Sequence, residues 1–155
     1  MGKRTRTAVA TLTGGNGYPN ISGTALFQQK ENGVLVTVNV FGLPTGGTGD
    51  TDCDGRIFAM HIHYGTASTG TAEDEFADAG THYNPNDCPH PQHAGDLPPL
   101  FGCDGTAYCS VLTDRFTLGE VVGKALIIHD RPDDFTTQPS GNAGTKIACG
   151  IIRAN

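Results

Sequence analysis

Alternating apolar and polar residues occupy the first 40 positions and predict short β-strands. In residues 34–40 every second side chain is valine, which is the pattern of a strand with one buried face. The segment Glu31-Asn32-Gly33 before it is a strong turn signal. Residues 7–12 and 21–28 alternate on either side of Gly14-Gly15, which predicts a hairpin. We therefore expect three strands joined by turns in this part of the chain.

Short apolar runs and turn residues extend this pattern to the end of the chain. A strand is predicted at residues 57–63, buried strands at residues 123–129 and 146–152, and a second hairpin at residues 100–112, broken at Asp104-Gly105. Loops are predicted at residues 42–55, 64–93 and 130–144. Loops longer than about 15 residues are uncommon and often functional. About eight strands with no repeat and no linker indicate one all-β domain over residues 1–155, a sandwich or a barrel.

The composition favours an all-β protein that acts on a small partner. The 22 glycines, nine prolines and absent tryptophan favour strands and turns over long helices. The net charge of -6 is spread along the chain, so a nucleic-acid or anionic-membrane partner lacks its electrostatic basis. No apolar run approaches the roughly 20 residues of a membrane span. As written, the protein is expected in the cytoplasm, and an exported form with a trimmed leader is the alternative.

The cysteines form no C-x-x-C pair, so neither a zinc ribbon nor a thioredoxin-type redox site is indicated. They are Cys53, Cys88, Cys103, Cys109 and Cys149. One disulfide can form among them, and the spacing alone does not identify its partners.

The histidines are grouped in a way that indicates metal binding. His61 and His63 are alternate residues of one predicted strand, so their side chains point to one face about 6 to 7 Å apart. Zinc prefers four N, O or S ligands in a tetrahedron. The following loop offers three imidazoles and one carboxylate within fifteen residues: His82, His90, His93 and Asp96.

A second set of donors includes the last histidine. His129 ends the predicted strand at residues 123–129, where a loop begins. With His61, His63 and His82 it would form an all-nitrogen site of the kind that copper favours. Two metals that share His82 would use all six histidines.

Five segments match one known family and occur in the order of that family. They are Met60-His-Ile-His63, Gly80-Thr-His-Tyr-Asn-Pro85, His93-Ala-Gly-Asp-Leu97, Ile127-Ile-His129 with Asp133-Asp134, and Gly141-Asn-Ala-Gly-Thr-Lys-Ile-Ala-Cys-Gly150. On these segments the chain resembles the Cu/Zn superoxide dismutases from about residue 7 to the end. The resemblance implies a flattened, eight-stranded Greek-key β-barrel with long metal-binding and electrostatic loops.

The resemblance also implies a role for each site residue. Copper would bind His61, His63, His82 and His129. Zinc would bind His82, His90, His93 and Asp96, so that the His82 imidazolate bridges the metals. Asp133 matches an aspartate that links a copper-ligand histidine to a zinc-ligand histidine and fixes their orientation.

The implied reaction is the dismutation of superoxide. Copper would alternate between Cu(II) and Cu(I), oxidising one superoxide to dioxygen and reducing the next to hydrogen peroxide. His82 would leave the reduced copper, take a proton and pass it to the peroxide. Zinc on the opposite nitrogen of His82 would make this exchange feasible, because a bound cation lowers the pKa of its ligand. Positive potential focused at the copper channel would raise the capture of the anion.

Two departures from the family pattern concern the metals. Lys146 stands where the family usually has an arginine beside copper, and it keeps the charge but lacks the planar fork that makes paired hydrogen bonds. We therefore expect a lower rate. Only two residues separate His90 from His93, fewer than the family commonly has, and we expect weaker zinc binding.

A third departure concerns the disulfide of the family. That disulfide joins a cysteine like Cys149 to one about six residues before the bridging histidine, where this chain has Phe76. Cys149 is then free, or pairs with a cysteine such as Cys88, or serves as a small buried hydrophobe.

Other functions fit the sequence less well. A catalytically idle metal-binding or interaction module on the same fold is the main alternative, and the loss of a copper ligand would be its mark. A β-sandwich that binds another ligand would leave the histidines unexplained. A metallohydrolase would need Asp and His where the chain has Gly65 and Thr66, and no His-Glu-x-x-His helix is present. The sequence leaves the oligomeric state open, with a homodimer as one option.

Overall fold

The computed structural model describes residues 6–46 and 56–155. Its strands are β1 (Thr7–Gly14), β2 (Ser22–Lys30), β3 (Gly33–Phe41), β4 (Ile57–His63), β5 (Asp96–Phe101), β6 (Ala107–Thr113), β7 (Ala125–His129) and β8 (Lys146–Ala154). The helical elements of the described residues are α1 (Leu118–Val121) and a 3₁₀ turn at Ala77–Ala79. Neither has the length or the apolar character that crossing a bilayer requires. The expected scarcity of helix is thus confirmed for this part of the chain.

The eight strands form one sheet in the order β5-β4-β7-β8-β1-β2-β3-β6. All neighbouring strands are antiparallel. The edge strands β5 and β6 lie against each other, so that the sheet nearly closes into a barrel. β7 pairs with β4 and β8 rather than with β6, a connection between distant strands that is typical of Greek keys. The all-β barrel is confirmed, and the extent of the domain over residues 1–155 stays a prediction.

The core of the barrel follows from the alternation seen in the sequence. Val34, Val36, Val38 and Val40 on β3 are fully buried, and the residues between them are half-buried. The valines pack in one cluster with large side chains such as Phe27 of β2. Burying a side chain of this size stabilises the fold by about 1.5–3 kcal/mol. The predicted hairpin of β1 and β2 is also confirmed.

The predicted hairpin at residues 100–112 is wrong in its strand pairing. Its turn is present, with positive φ at Asp104 and Gly105 and two backbone hydrogen bonds between Cys103 and Thr106, as in a type I′ turn. Beyond this turn, however, β5 pairs with β4, and β6 pairs with β3. β5 contains Pro98-Pro99, which have no N–H groups to donate to a second partner strand.

β4 is buried on both faces, which the alternation alone did not predict. Phe58, Met60 and Ile62 point into the core of the barrel, whereas His61 and His63 lie on the opposite face and are also buried. Two loops cover this outer face. The Tyr83 N–H of one loop donates to Ile62 O, and the Ala59 N–H donates to Arg131 O of the other.

The loop predicted at residues 42–55 is only partly described. Residues 42–46 contain no strand or helix. Residues 47–55, which include Cys53, lie outside the described part of the chain.

Candidate metal centre

The buried polar and charged side chains of the described residues converge on one face of the barrel. They are His61, His63, His82, His90, His93, His129, Asp96 and Asp133, each at most 8% exposed. These are the eight residues that the sequence analysis assigned to metals or to their support. Burying such groups without partners is costly, so their collection in one place indicates a binding site.

Two neighbouring strands and one loop bring the first histidines together. His61 and His63 lie on β4, and His129 ends β7, which pairs directly with β4. His82 belongs to the loop and lies opposite His63 in an isolated antiparallel bridge. The Tyr64 N–H donates to Thr81 O in the same bridge. This bridge therefore fixes the position of His82 along β4.

Backbone carbonyls orient two of these rings. His63 Nδ1–H donates to Gly80 O at 2.7 Å, and His129 Nδ1–H donates to Gly144 O at 3.3 Å. Because a carbonyl can only accept, the proton of each neutral ring lies on Nδ1. The Nε2 atom of each ring is then free to bind a metal.

One carboxylate orients two further rings. His61 Nε2–H donates to Asp133 Oδ2 at 2.8 Å, and His90 Nε2–H donates to Asp133 Oδ1 at 2.7 Å. Each ring therefore has its Nδ1 atom free. This is the link between the two donor sets that the sequence analysis expected of Asp133.

Four of the five buried ring nitrogens that have no hydrogen-bond partner in the described residues face a common centre. They are His61 Nδ1, His63 Nε2, His82 Nε2 and His129 Nε2. Ligand atoms of these four residues lie within 4.8 Å of one another. An unsatisfied buried group costs about 1–3 kcal/mol, and a bound metal would remove this cost. Four imidazoles without a carboxylate fit copper.

A second centre lies on the other side of His82. Its Nδ1 atom is 2.9 Å from Asp96 Oδ1 and 3.1 Å from His93 Nδ1. Asp96 Oδ2 lies 3.0 Å from His90 Nδ1 and 3.3 Å from His93 Nδ1. A tetrahedral zinc with ligands at about 2.0 Å has ligand-to-ligand distances of about 3.3 Å. These distances between donor atoms fit such an ion. Although only two residues lie between His90 and His93 in the sequence, the Nδ1 atoms of both rings lie within 3.3 Å of Asp96 Oδ2.

His61 also approaches this second centre. Ligand atoms of His61, His82, His90 and Asp96 lie within 4.8 Å of one another. However, Nε2 of His61 is bonded to Asp133, and its Nδ1 belongs to the four-nitrogen set. His93 is therefore the better fourth donor of the second centre.

Burial favours the neutral form of three rings of the four-nitrogen set, those of His61, His63 and His129. Burial lowers the pKa of His61, holds that of His63 well below its usual range, and lowers that of His129 to about 3. Neutral imidazole is the form that binds metals. Burial alone would raise the pKa of the Asp133 carboxyl, but hydrogen bonds from His61 and His90 hold it well below its usual range.

Lys146 lies beside the four-nitrogen set and has a partner that the sequence analysis missed. Lys146 of β8 is the cross-strand neighbour of His129. Its Nζ atom is 2.7 Å from Asp74 Oδ2. Asp74 stands between Glu73 and Glu75 in an irregular loop, so no spacing or periodicity distinguishes it from its neighbours.

The cysteines considered for a disulfide are separate in the structure. Cys88 and Cys149 are both free thiols. Cys149 is buried in a small cluster with Phe76, the residue at the position of the family's second cysteine. Burial raises the pKa of the Cys149 thiol to about 12. An apolar contact thus occupies the place where the family would have a covalent bond.

Comparison with known proteins decides the family. The family model described as copper/zinc superoxide dismutase matches residues 21–152. The chain belongs to the copper/zinc superoxide dismutase family. The chain is similar to the extracellular superoxide dismutase [Cu-Zn] of Brugia pahangi, at 31% identity over 96% of this chain and 76% of that protein. It is also similar to superoxide dismutase [Cu-Zn] 2 of Aquifex aeolicus (strain VF5), at 36% identity over 86% of this chain and 80% of that protein.

Membership in the copper/zinc superoxide dismutase family agrees with the chemistry of the two donor sets. The four-nitrogen set suits copper, and the set with a carboxylate suits zinc. No residue needed for either set is missing from the described chain.

Proposed function

We propose that this protein converts superoxide to dioxygen and hydrogen peroxide, with copper and zinc joined through His82. Copper would be held by His61, His63, His82 and His129, and zinc by His82, His90, His93 and Asp96. The observation that carries the proposal is the position of His82. It is the one histidine with a ring nitrogen toward each centre, since Nδ1 faces Asp96 and Nε2 is buried without a partner in the four-nitrogen set.

His82 has the properties of a residue that holds and returns a proton. Copper, when bound, supplies the one-electron exchange that oxidises one superoxide and reduces the next. His82 Nε2 lies at the end of the ring that faces this exchange, so a proton taken up there can be donated to the product. A cation at Nδ1 makes Nε2 release its proton more easily. The backbone bridge to His63 holds the backbone of His82 against β4.

The other residues around the centre keep the ligands in position. Asp133 accepts from one ring of each donor set, and the carbonyls of Gly80 and Gly144 accept from His63 and His129. Fixed hydrogen bonds of this kind raise the basicity and affinity of metal ligands. They would also keep the rings from moving far when a bound metal changes its charge.

Lys146 supplies positive charge beside the four-nitrogen set. Superoxide is a small anion and the chain carries a net charge of -6, so capture depends on a local cation rather than on the overall field. The position of Lys146 opposite His129 supports a role in attracting the anion.

The test is metal analysis combined with a direct assay of superoxide consumption on the copper- and zinc-loaded protein. We expect one copper and one zinc per chain and a rate that far exceeds spontaneous dismutation. His129→Gln serves as the comparison, because His129 is a proposed ligand of copper and not of zinc. This variant should keep zinc and lose both copper and activity.

A second outcome would favour the catalytically idle module instead. Copper bound at one per chain with no turnover would overturn the proposal and support a role in metal storage or in binding. Copper held equally well by the His129→Gln variant would show that the metal binds elsewhere.

A further inference from the structure

Lys146 is not a free cation. Its Nζ atom lies 2.7 Å from Asp74 Oδ2, and within the described part of the chain this is the only ion pair made by a lysine or an arginine. The side chain of Lys146 is 17% exposed and that of Asp74 is 44% exposed. The pair therefore lies at the edge of the metal centre, where an incoming anion is still partly in solvent.

The ion pair lies next to the copper side of the centre. Lys146 and His129 are partners on β8 and β7, next to a β-bulge between Ile128 and His129. The lysine side chain thus starts beside a copper ligand and extends to the loop that covers β4. The positive charge of Lys146 would therefore attract an anion that approaches copper.

Asp74 is held rigidly, so the pair is more than a chance surface contact. Its Oδ1 accepts from the Phe76 N–H at 3.2 Å, and its own N–H donates to Thr71 Oγ1 at 3.1 Å. Its carbonyl oxygen accepts from the N–H groups of Thr71 and Ala77. Phe76 anchors this turn by packing into the buried cluster around Cys149. Only Oδ2 remains for Lys146, and it points there.

We propose that Asp74 is a positioning residue that holds the Lys146 ammonium against the loop, offsets its charge, and thereby lowers the rate at which superoxide is captured at the copper side. The inference rests on the proposed function. Partly exposed ion pairs contribute little to stability. Their effect on the potential felt by a charged substrate is larger, because a carboxylate beside a lysine cancels much of the field of that lysine at a distance.

The test compares two variants that change the net charge by the same amount. Asp74→Asn keeps an oxygen for the Phe76 N–H and removes the charge that faces Lys146. Glu73→Gln makes the same change at the neighbouring exposed position. At low ionic strength we expect superoxide consumption to rise about two- to fivefold in Asp74→Asn, with a steeper fall as salt is added. Glu73→Gln should stay close to the unchanged protein.

A second measurement is independent of turnover. Reductive methylation of Lys146 in the metal-loaded protein, followed by mass spectrometry, should be several-fold faster in Asp74→Asn than in Glu73→Gln or the unchanged protein. Lys30 is the internal reference, since it lies at the exposed end of β2. Equal methylation in all three proteins would show that the pair does not form in solution and would overturn the inference.

The outcomes separate this inference from the proposed function. If the unchanged protein binds copper but does not consume superoxide, the proposed function fails. The inference is then tested by the affinity of the copper-loaded protein for azide, a small anion that binds copper. Tighter azide binding in Asp74→Asn alone would support the inference. A rate or an azide affinity that is unchanged or lower in Asp74→Asn would overturn it.

Discussion

Asp133 Oδ2 lies 2.8 Å from His61 Nε2, and both groups are buried. The other oxygen of the same carboxylate binds His90. His61 comes from a barrel strand, His90 from the long loop after it, and Asp133 from the loop between β7 and β8. The Asp133 carboxylate therefore orients one ligand of each donor set only when both loops are folded.

Asp133→Asn should weaken the binding of both metals. An asparagine offers one acceptor oxygen instead of two, so one ring nitrogen loses its partner and the orientation of that ring is no longer fixed. Replacing an outer partner of this kind typically costs about 10–100-fold in metal affinity. Chelator competition measures the affinities. Asp134→Asn is the matched control, because Asp134 is exposed and caps Thr136 and Thr137; equal affinities in the two variants would contradict the prediction.

Gly141→Ala should disrupt the same contact from the other side. Gly141 has a φ of 69°, and a Cβ there would collide with Asp133 Oδ1 and lie 2.6 Å from His90 Nε2. Left-handed backbone costs an alanine about 1–2 kcal/mol, and the displaced carboxylate should weaken zinc binding by about tenfold. Urea unfolding and zinc titration measure the two effects. Gly17→Ala, which meets no atom within 4 Å, should change neither, and a Gly141→Ala protein that binds zinc normally would contradict the prediction.

Three histidine substitutions should distinguish the two metals. His63→Gln should lose copper and keep zinc, because only its Nε2 is free and it faces the four-nitrogen set. His93→Gln should weaken zinc and spare copper. His82→Gln should weaken both metals. The readout is the metal content after dialysis, measured by elemental mass spectrometry. A His82→Gln protein that loses only one metal would contradict the role of His82 as a ligand shared by both metals.

Lys146→Arg should raise the rate of superoxide consumption several-fold. An arginine can keep one N–H on Asp74 and direct another N–H at the anion, whereas a lysine is a single point charge. Stopped-flow measurement of superoxide decay gives the rate. Lys30→Arg makes the same chemical change far from the centre and should have no effect. An unchanged rate in Lys146→Arg would refute the expectation that the lysine lowers activity.

The cysteines should differ sharply in reactivity. Cys103 is exposed, whereas Cys149 is 2% exposed and burial raises its pKa to about 12. At pH 8 the reactive thiolate of Cys149 is then on the order of one part in 10⁴. Alkylation of the native protein should modify Cys103 at least a hundredfold faster, as followed by peptide mass spectrometry. Equal rates would contradict the burial of Cys149, and a linked peptide of Cys88 and Cys149 would restore the disulfide alternative.

Local sequence determined the strands and the inventory of ligands. Alternation predicted β3 because a half-buried strand needs an apolar residue at every second position, as Val34 and Val36 show. The same local pattern could not predict the pairing of β5, whose hydrogen bonds depend on which strand lies beside its prolines. It also could not predict that β4 is buried on both faces, since the covering loops are distant in sequence.

The six histidines and Asp96 of the metal centre were identified by type and spacing, because few side chains can bind copper or zinc. Asp133 was identified only through the resemblance to the family. Tertiary structure decided which nitrogen of each ring is free. The tautomer depends on the partner of the other nitrogen, and that partner is 17 residues away for His63 and 72 residues away for His61. The pairing of Asp74 with Lys146, also 72 residues apart, was decided in the same way, since a carboxylate in a loop acquires a specific partner only when the fold brings a cation to it.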